Sequence, residues 1–484
     1  MICVTVTPSS RQLAKVDLLN AAKYGDVIEL CLDHLTKEPD VKDLISAVSK
    51  PVIISCRRKQ DGGAWEGSEE ARLTLLRRAI VAGPAYIELD FDVAPGIPRF
   101  GDTKRIISFT RLDRPEHDIE GVFDEASNQQ ADVVKFTWPT PTLDDAWPLL
   151  RAVSGKRPLP IVGLGLGRAD LTFSLLGRKY GSPWIYAALE RGMEAFEGQA
   201  TVFELDEVYH WRDIDKSTTF VAVAGFGDSQ TMTTRVLNAG FTHLGMNVRC
   251  LPIEIGEIGQ LRKMLDALKV RAIIAGSGMG TRLHALADEV DESDPRSGYT
   301  DLLLKRSSGQ WRGYNSIWRS GLKALEAKLG EGGFPLERRN VLVLGTGGAA
   351  RALVFACQQR KGLVSISGPR DAQAQQVANQ LGCRFVPFHN VYDTLFDVVV
   401  IADPDLRCGV QQGCVNPSLF RSTMTVLDVS DPPAAHPLLE EARERECRVV
   451  EPVEVFTGQA GAQFKAITRE ELPASAAAIA DAAE

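Results

Sequence analysis

Short apolar runs alternate with amphipathic stretches along the first 210 residues. Runs rich in valine and isoleucine are typical of strands buried on both faces, whereas apolar residues at every third or fourth position indicate helices. Within 68–82, for example, Leu73, Leu76 and Ile80 recur near helical spacing. Seven strands are predicted, at Ile2–Val6, Val27–Leu32, Val52–Cys56, Tyr86–Asp90, Arg105–Ser108, Val133–Phe136 and Ile161–Gly163.

This alternation predicts parallel strands joined by helices, and eight such units would close a (β/α)8 barrel. A polar segment around Trp211–Ser217 ends the block, and a new strand is predicted at Phe220–Ala224. The glycines and proline of Gly330–Asn340 then mark a second break. We therefore expect an α/β chain with three domains, at residues 1–215, 216–330 and 331–484.

The segment VLVLGTGGAARAL, residues 341–353, predicts a buried strand, a glycine turn and the start of a helix. Such a turn leaves backbone N–H groups and a helix N-terminus free to bind a phosphate. The candidate cofactor-binding residues are Gly345, Thr346, Gly347, Gly348 and Ala349. Arg370, after the next strand, favours NADP through its 2′-phosphate, with NAD as the alternative. An empty nucleotide fold is the competing interpretation.

Composition narrows the classes of partner. A net charge of −8 without a basic face argues against a nucleic-acid partner. A membrane span is not expected, because the sequence contains no run of about 18 apolar residues. Nine cysteines, odd in number and never in a C-x-x-C pair, predict reduced thiols in a cytoplasmic protein. The histidines and cysteines lack ligand spacing, so we expect no metal site.

Several motifs of the second half resemble shikimate dehydrogenase. They are GFGDSQTMTTRVLNAGF (225–241), GMNV (245–248), RGYNSIWRSGL (312–322), GTGGAARA (345–352), LDVSDPPAAHPLL (427–439) and FTGQAGAQF (456–464). The resemblance implies a substrate domain followed by an NADP-binding Rossmann domain, with C-terminal helices returning to the substrate domain. It also implies a small cyclic carboxylic acid as substrate.

The first half resembles type I 3-dehydroquinate dehydratase. The motifs are DVIELCLDHL (26–35), PVIISCRRKQDGGAWEGSEEARLTLLRRAI (51–80), ADVVKF (131–136) and GSPWIYAAL with the following Gly198-Gln199. The order of the two halves is that of the fused dehydratase and dehydrogenase of plants. The resemblance implies two enzymes of aromatic amino-acid biosynthesis in one chain.

The dehydratase resemblance implies that Lys135 forms a Schiff base with the substrate ketone. It also implies that Glu29 and Asp61 are active-site acids, that Arg57 binds substrate and that Gln199 lies in a substrate loop. Other positions of the family pattern are substituted: the histidine by Thr110, two arginines by Ser174 and Cys31, and the loop serine by Ala195. Threonine does not titrate near neutral pH, so a general base is missing.

The dehydrogenase resemblance implies substrate contacts from Thr231, Thr233, Asn247, Asn315 and Gln459. The lysine and aspartate that would pass a proton fall on Ile253, or Glu254 with one insertion, and on Ile317; Asp301 replaces an asparagine and is expected to repel an anionic substrate. Two hypotheses follow. One is a bifunctional enzyme with impaired sites, and the other is a degenerate relative that binds a metabolite or partner in a regulatory or scaffolding role.

Overall fold

The computed structural model describes residues 1–276, 278–291, 297–331, 335–407, 414–430, 432–433 and 436–482. The chain divides into two compact units. Unit 1 comprises Met1–Thr218 with Leu251–Glu257, and unit 2 comprises Thr219–Cys250 with Ile258–Glu484. Among the described helices, none is long and apolar enough to cross a membrane. The described residues also contain no cluster of three histidine, cysteine or acidic side chains suited to a metal ion.

Unit 1 is an eight-stranded, all-parallel barrel, which confirms the predicted fold of the first half. Its strands run in the order β7-β6-β5-β4-β3-β2-β1-β8. They are β1 Ile2–Val6, β2 Val27–Cys31, β3 Val52–Ser55, β4 Tyr86–Asp90, β5 Lys104–Thr110, β6 Val133–Pro139, β7 Ile161–Leu166 and β8 Ile185–Ala188. The surrounding helices are α1 Arg11–Tyr24, α2 Val41–Ser46, α3 Glu69–Val81, α4 Ile119–Asn128, α5 Leu143–Ser154 and α6 Asp170–Tyr180.

The barrel interior is layered because alternate residues of each strand point inwards. One layer is an apolar cluster that includes Cys3, Val27, Ile53, Ile106, Val133 and Val162. Two residues further along the same strands, the inward positions become polar: Thr5, Glu29, Ser55, Ser108 and Lys135, all buried. The apolar layer therefore closes the amino-terminal side of the barrel, and the polar layer faces the carboxyl ends of the strands, where barrel enzymes bind substrate.

Unit 2 begins with a mixed six-stranded sheet in the order β10-β9-β11-β13-β14-β12. Its strands are β9 Thr219–Ala224, β10 Val248–Ile253, β11 Val270–Ile274, β12 Glu289–Val290, β13 Leu302–Lys305 and β14 Trp311–Tyr314. The last three residues of β10 fall in unit 1 by the division given above. Its helices are α7 Asp228–His243, α8 Ile258–Ala267, α9 Gly280–His284 and α10 Ile317–Glu331. Strands β13 and β14 pair in antiparallel fashion, whereas β9 and β11 are parallel.

The second sheet of unit 2 is fully parallel, in the order β17-β16-β15-β18-β19-β20. This is the doubly wound strand order of dinucleotide-binding folds, whose switch point lies between β15 and β18. The strands are β15 Asn340–Leu344, β16 Leu363–Ser367, β17 Arg384–Phe385, β18 Val398–Ile401, β19 Thr425–Asp428 and β20 Arg448–Val450. The helices are α11 Gly348–Gln359, α12 Asp371–Leu381, α13 Pro437–Glu444, α14 Pro452–Thr468 and α15 Ala474–Asp481.

Seven cysteines are free thiols, at Cys3, Cys31, Cys56, Cys250, Cys357, Cys383 and Cys447. Cys414 is disulfide-bonded, so the prediction of nine reduced thiols is wrong at that position. Cys408 lies outside the described residues. The prediction failed because the spacing of cysteines along the chain shows only that no C-x-x-C pair is present. It does not show which cysteines the fold brings together.

Candidate active site

Lys135 lies inside the barrel, with 1% of its surface exposed. Strand β6 places it on the inward face, two residues after the buried Val133. Its Nζ is 2.9 Å and 3.1 Å from the two carboxylate oxygens of Glu88, and 3.9 Å from Oε1 of Glu29. A lysine ammonium therefore lies between two buried carboxylates in the polar layer.

Arg57 completes this group of charges. Its Nε donates to Glu88 Oε1 at 3.3 Å, and its Nη2 forms a close ion pair with Glu29. Two cations and two anions thus neutralise one another, which offsets the large cost of removing each charge from water. We call Glu29, Arg57, Glu88 and Lys135 the barrel charge cluster.

Glu88 is ionised in this cluster. Burial alone would raise the pKa of its carboxyl, but the charges of Lys135 and Arg57 and the hydrogen bonds from both outweigh burial and lower the pKa to about 2. The same two glutamates raise the pKa of Arg57, although burial opposes them. A protonated amine cannot attack a ketone, so Lys135 must be neutral at the moment of reaction.

The walls of the cluster come from neighbouring strands. The ring of Tyr186, on β8, lies 4.4 Å from Lys135 Nζ in a cation–π contact, and Thr5 donates to Glu29 Oε2 at 3.3 Å. Cys31, at the position of a family arginine, accepts from Ser55 at 3.4 Å. The inward positions of the barrel thus contain thiol and hydroxyl groups that extend the polar layer around the charges.

Glu88 and Tyr186 were missed by the sequence analysis. The signal for Glu88 was present, because this carboxylate lies in the middle of the predicted strand Tyr86–Asp90, between the apolar residues Ile87 and Leu89. Assigning inward and outward positions to that strand would have found it. Strand β8, IYAA, was not predicted, so the inward position of Tyr186 had no basis in the sequence.

Asp61 does not join the barrel charge cluster. It lies in a one-turn 3-10 helix and pairs with Arg58, whose guanidinium also holds Asp92 through two bonds of 2.9 Å. The neighbouring arginine and the short aspartate side chain account for this placement. The structure therefore does not place Asp61 with the other predicted acid, Glu29.

Gln199 is buried in the segment after β8. Its Oε1 accepts from the backbone N–H of Ala195 at 2.8 Å, and its Nε2 is buried without a hydrogen-bond partner. A buried amide donor without a partner is costly. Gln199 thus retains a free donor for a ligand oxygen, although Ala195 supplies no hydroxyl beside it.

Ser174, which stands where the family pattern has an arginine, is hydrogen-bonded to a buried acid, Asp170. Ser174 donates to Asp170 Oδ2 at 3.3 Å, and the N–H of Gly165 donates to Asp170 Oδ1 at 3.1 Å. Burial raises the pKa of Asp170 to about 8, and these two bonds only partly oppose it. Ser174, the position predicted to replace a family arginine, is therefore bonded to a carboxyl group that is largely protonated at neutral pH.

In unit 2, Asp301 caps helix α10. One of its carboxylate oxygens accepts from the N–H groups of Ser316 and Ile317, both at 2.8 Å, and from the Ser316 hydroxyl at 2.9 Å. Burial raises the pKa of Asp301 to about 6, against these bonds. Asp301 therefore caps the amino end of α10, and its repulsion of an anionic substrate stays a prediction.

Two predicted contacts lie beside Asp301. The Nε2 of Gln459 is 3.3 Å from Asp301, and Asn315 donates to Ser297 at 3.3 Å. A cavity of about 40 Å³ is lined by both Gln459 and Thr233. That volume accommodates a water molecule and not a cyclic acid, since ligand pockets usually exceed about 300 Å³.

The remaining substrate contacts are less favourably placed. Thr233 donates to the carbonyl of Ser229 at 2.9 Å within α7, and Thr231 is part of the first turns of the same helix. Asn247 is exposed and precedes β10, so it lies at the amino end of that strand and not at its carboxyl end. The structure thus brings Thr233, Asn315 and Gln459 to one region and leaves Asn247 outside it. Ile253 and Ile317 are both buried.

The glycine turn has the predicted strand, turn and helix in order. Gly345 has φ +122°, a region that favours glycine, and Gly347 precedes the twelve-residue α11 with open space around its Cα. Thr346 lies near Gly368, and Ala349 is in the first turn of α11. Arg370 is exposed just before α12. These features suit a pyrophosphate at the turn and a 2′-phosphate near Arg370.

Comparison with known proteins gives similar relatives for both halves. Residues 2–216 match the family model "Type I 3-dehydroquinase". The "Bifunctional 3-dehydroquinate dehydratase/shikimate dehydrogenase, chloroplastic" of Arabidopsis thaliana is 24% identical over 97% of this chain and 82% of its own length. The 3-dehydroquinate dehydratase of Methanocaldococcus jannaschii is 28% identical over 44% of this chain and all of its own length.

For the second half, the "Shikimate dehydrogenase (NADP(+))" of Syntrophobacter fumaroxidans is 26% identical over 51% of this chain and 86% of its own length. Both resemblances in the sequence are therefore confirmed, in the same order along the chain. Residues 2–216 are therefore similar to the type I 3-dehydroquinase family, and nearly the whole chain is similar to the bifunctional 3-dehydroquinate dehydratase/shikimate dehydrogenase of Arabidopsis thaliana.

Proposed function

We propose that the barrel dehydrates a small cyclic hydroxy-ketone acid, 3-dehydroquinate or a close analogue, through a Schiff base on Lys135. The observation that carries this proposal is the buried position of Lys135, with Glu88 2.9 Å and Glu29 3.9 Å from its amine. A buried lysine beside carboxylates has an acceptor for its proton and little water to compete for the ketone. The match to the 3-dehydroquinase family supports the same chemistry.

The chemistry begins with transfer of a proton from Lys135 to Glu29 as the ketone approaches, while Glu88 keeps its negative charge. The free amine attacks the carbonyl carbon, and loss of water gives an iminium ion. The iminium withdraws electrons, so the adjacent carbon loses a proton and an enamine forms. That proton is returned to the hydroxyl of the next carbon, which departs as water while the iminium is restored. Hydrolysis of the iminium then releases the unsaturated ketone and returns the amine, with net loss of one water from the substrate.

The first test is to measure the turnover of 3-dehydroquinate by the full chain, which we expect to be slow. The product is a conjugated ketone, so its ultraviolet absorbance reports the rate. We expect activity in the wild type and none in Lys135→Met, which keeps the length of the side chain but has no amine. Turnover that survives Lys135→Met, or its complete absence in a folded wild type, contradicts the proposal.

Thr110→His should raise kcat about 10²-fold or more. Thr110 ends β5 and is partly exposed, and a histidine there supplies the missing titrating base. Thr110→Val is the matched control, because it removes the hydroxyl without adding a base, and we expect its kcat to equal that of the wild type. A histidine variant that folds without gaining activity would show that the missing base does not limit the reaction.

We also propose that unit 2 binds NADP through Gly345, Thr346, Gly347, Gly348 and Ala349, with Arg370 facing the 2′-phosphate. NAD is the alternative cofactor. When bound, such a nucleotide accepts or donates a hydride. Thr231, Thr233, Asn315 and Gln459 are the proposed contacts to a cyclic carboxylic acid, whose binding must widen the 40 Å³ cavity that Thr233 and Gln459 line. Asn247 is not among them.

A regulatory binding role is the second candidate for unit 2. Ile253 and Ile317 are buried at positions where a proton would have to move, and a hydrocarbon side chain cannot carry one. We therefore expect nucleotide binding without shikimate oxidation. Measuring NADPH formation from shikimate and NADP, beside a nucleotide titration, distinguishes the candidates: rapid formation would support a second enzyme activity, and binding alone would support the regulatory role.

We propose that residues 1–215, 216–330 and 331–484 are three domains, with C-terminal helices returning from the last to the second. We place the protein in the cytoplasm, and we propose no nucleic-acid partner, which fits the net charge of −8.

A further inference from the structure

The ring of Tyr299 lies against two glycines of unit 2 that each begin a helix. A Cβ built on Gly348, the first residue of α11, would lie 1.8 Å from Tyr299 Cδ2. A Cβ on Gly280, the first residue of α9, would lie 2.1 Å from Tyr299 Cε2. Real Cβ atoms do not come so close to another atom, so only glycine at both positions admits the ring. A Cβ built on Gly347, one residue before Gly348, would have no other atom within 4 Å.

The direction of that contact determines what the ring covers. In an α-helix every Cα–Cβ bond is tilted towards the helix N-terminus. An atom at the Cβ position of the first residue therefore lies beside the amino end of the helix, where a nucleotide phosphate is bound. The ring of Tyr299 thus lies beside the end of α11 at which such folds bind a dinucleotide.

A second feature beside the glycine turn, the carboxylate of Asp403, opposes the binding of a phosphate. Asp403 follows β18, the strand beside β15 at the switch point, and its Cβ is 3.0 Å from the Cβ position of Gly345. Its carboxylate accepts the N–H of Asp405 at 3.1 Å. Close to the first glycine of the turn, a carboxylate repels a pyrophosphate. The turn itself fits a dinucleotide, but the ring and this acid oppose its approach.

We propose that Tyr299 sets the affinity of unit 2 for a dinucleotide, because its ring covers the amino end of α11 and must leave before the pyrophosphate can approach. The inference rests on the proposed binding of NADP at the glycine turn. A binding-competent state that is a minor fraction of the population reduces apparent affinity by that fraction. Removing the ring makes the competent state the dominant one.

The test is calorimetric titration of the full chain with NADP, comparing the wild type with Tyr299→Ala and Tyr299→Phe. We expect Tyr299→Ala to lower the Kd about 10-fold or more, as for a competent state populated at about 10% or less. Tyr299→Phe keeps the ring and should bind like the wild type. Tyr299→Val, which retains apolar packing, is measured in parallel in case the alanine variant does not fold, and the same direction is expected.

The outcomes separate this inference from the proposed function. Equal Kd values for the wild type and the folded alanine or valine variant, with measurable binding in both, overturn the role of Tyr299 and leave NADP binding intact. Binding by none of the folded variants overturns both. Tighter binding by Tyr299→Phe as well would show that the hydroxyl, and not the ring, limits affinity, and would also overturn the inference.

Discussion

Replacing Glu88 by glutamine is expected to lower the free energy of unfolding of the barrel by about 3–5 kcal/mol at pH 7, the usual cost of removing one partner from a buried ion pair. The reason is that Glu88 bonds both Lys135 and Arg57, and its loss leaves a buried excess of positive charge. Urea unfolding followed by tryptophan fluorescence measures the change, and five of the seven tryptophans belong to unit 1.

Two comparisons make the Glu88 prediction specific. Glu66→Gln removes an exposed, solvent-screened ion pair with Lys59 and should cost far less stability than Glu88→Gln. Combining Glu88→Gln with Lys135→Met removes both partners and should restore part of the lost stability.

The stabilising effect of Glu88 should fade as the pH falls from about 4 to about 2, because its folded pKa is about 2 and an unfolded glutamate titrates near 4.3. A cost for Glu88→Gln as small as that for Glu66→Gln contradicts the account.

Asp170→Asn is expected to flatten the dependence of stability on pH. The folded pKa of Asp170 is raised to about 8, whereas an unfolded aspartate titrates near 3.9. Between these values the folded state holds a proton that the unfolded state has lost, so the wild type loses stability as the pH rises, at up to about 1.4 kcal/mol per pH unit. Asparagine keeps the size and one acceptor and does not titrate. Its advantage over the wild type should grow by about 3 kcal/mol between pH 5 and pH 8.

The measurement is a series of urea unfolding curves at several pH values. Asp124→Asn, on the exposed side of α4, is the matched control and should follow the wild type at every pH. If Asp170→Asn also runs parallel to the wild type, the carboxyl of Asp170 is not buried and protonated as the structure indicates, and the loss of the family arginine at Ser174 has a different consequence.

The strands and the glycine turn were readable from the sequence because they depend on local patterns. Runs such as VVKF and VLVLG combine β-branched residues with flanking turns, and their alternation with helices predicted the barrel and the doubly wound sheet. The inward position of Lys135 also follows from alternation along β6. Strand β8 was missed because IYAA is four residues long and contains two alanines.

The partners of the site residues were not readable, because they come from distant parts of the chain. Glu88 reaches Lys135 across 47 residues, and Asp301 reaches Gln459 across 158. Asp61 matched the family motif but pairs with Arg58, and only the folded turn shows that competition. The contact of Tyr299 with Gly348 likewise depends on how a loop packs against a helix. Sequence motifs located the candidate residues, but the charges around each residue and its exposure to solvent could be determined only from the folded structure.

Trapping the Schiff base tests the central claim most directly. The full chain is incubated with 3-dehydroquinate and sodium borohydride, which reduces an iminium to a stable amine, and the labelled peptide is identified by mass spectrometry. Lys135→Met is the control. We predict one covalent adduct, on Lys135, in the wild type and none in the variant. A folded wild type that acquires no adduct, or an adduct that persists in Lys135→Met, would contradict the account.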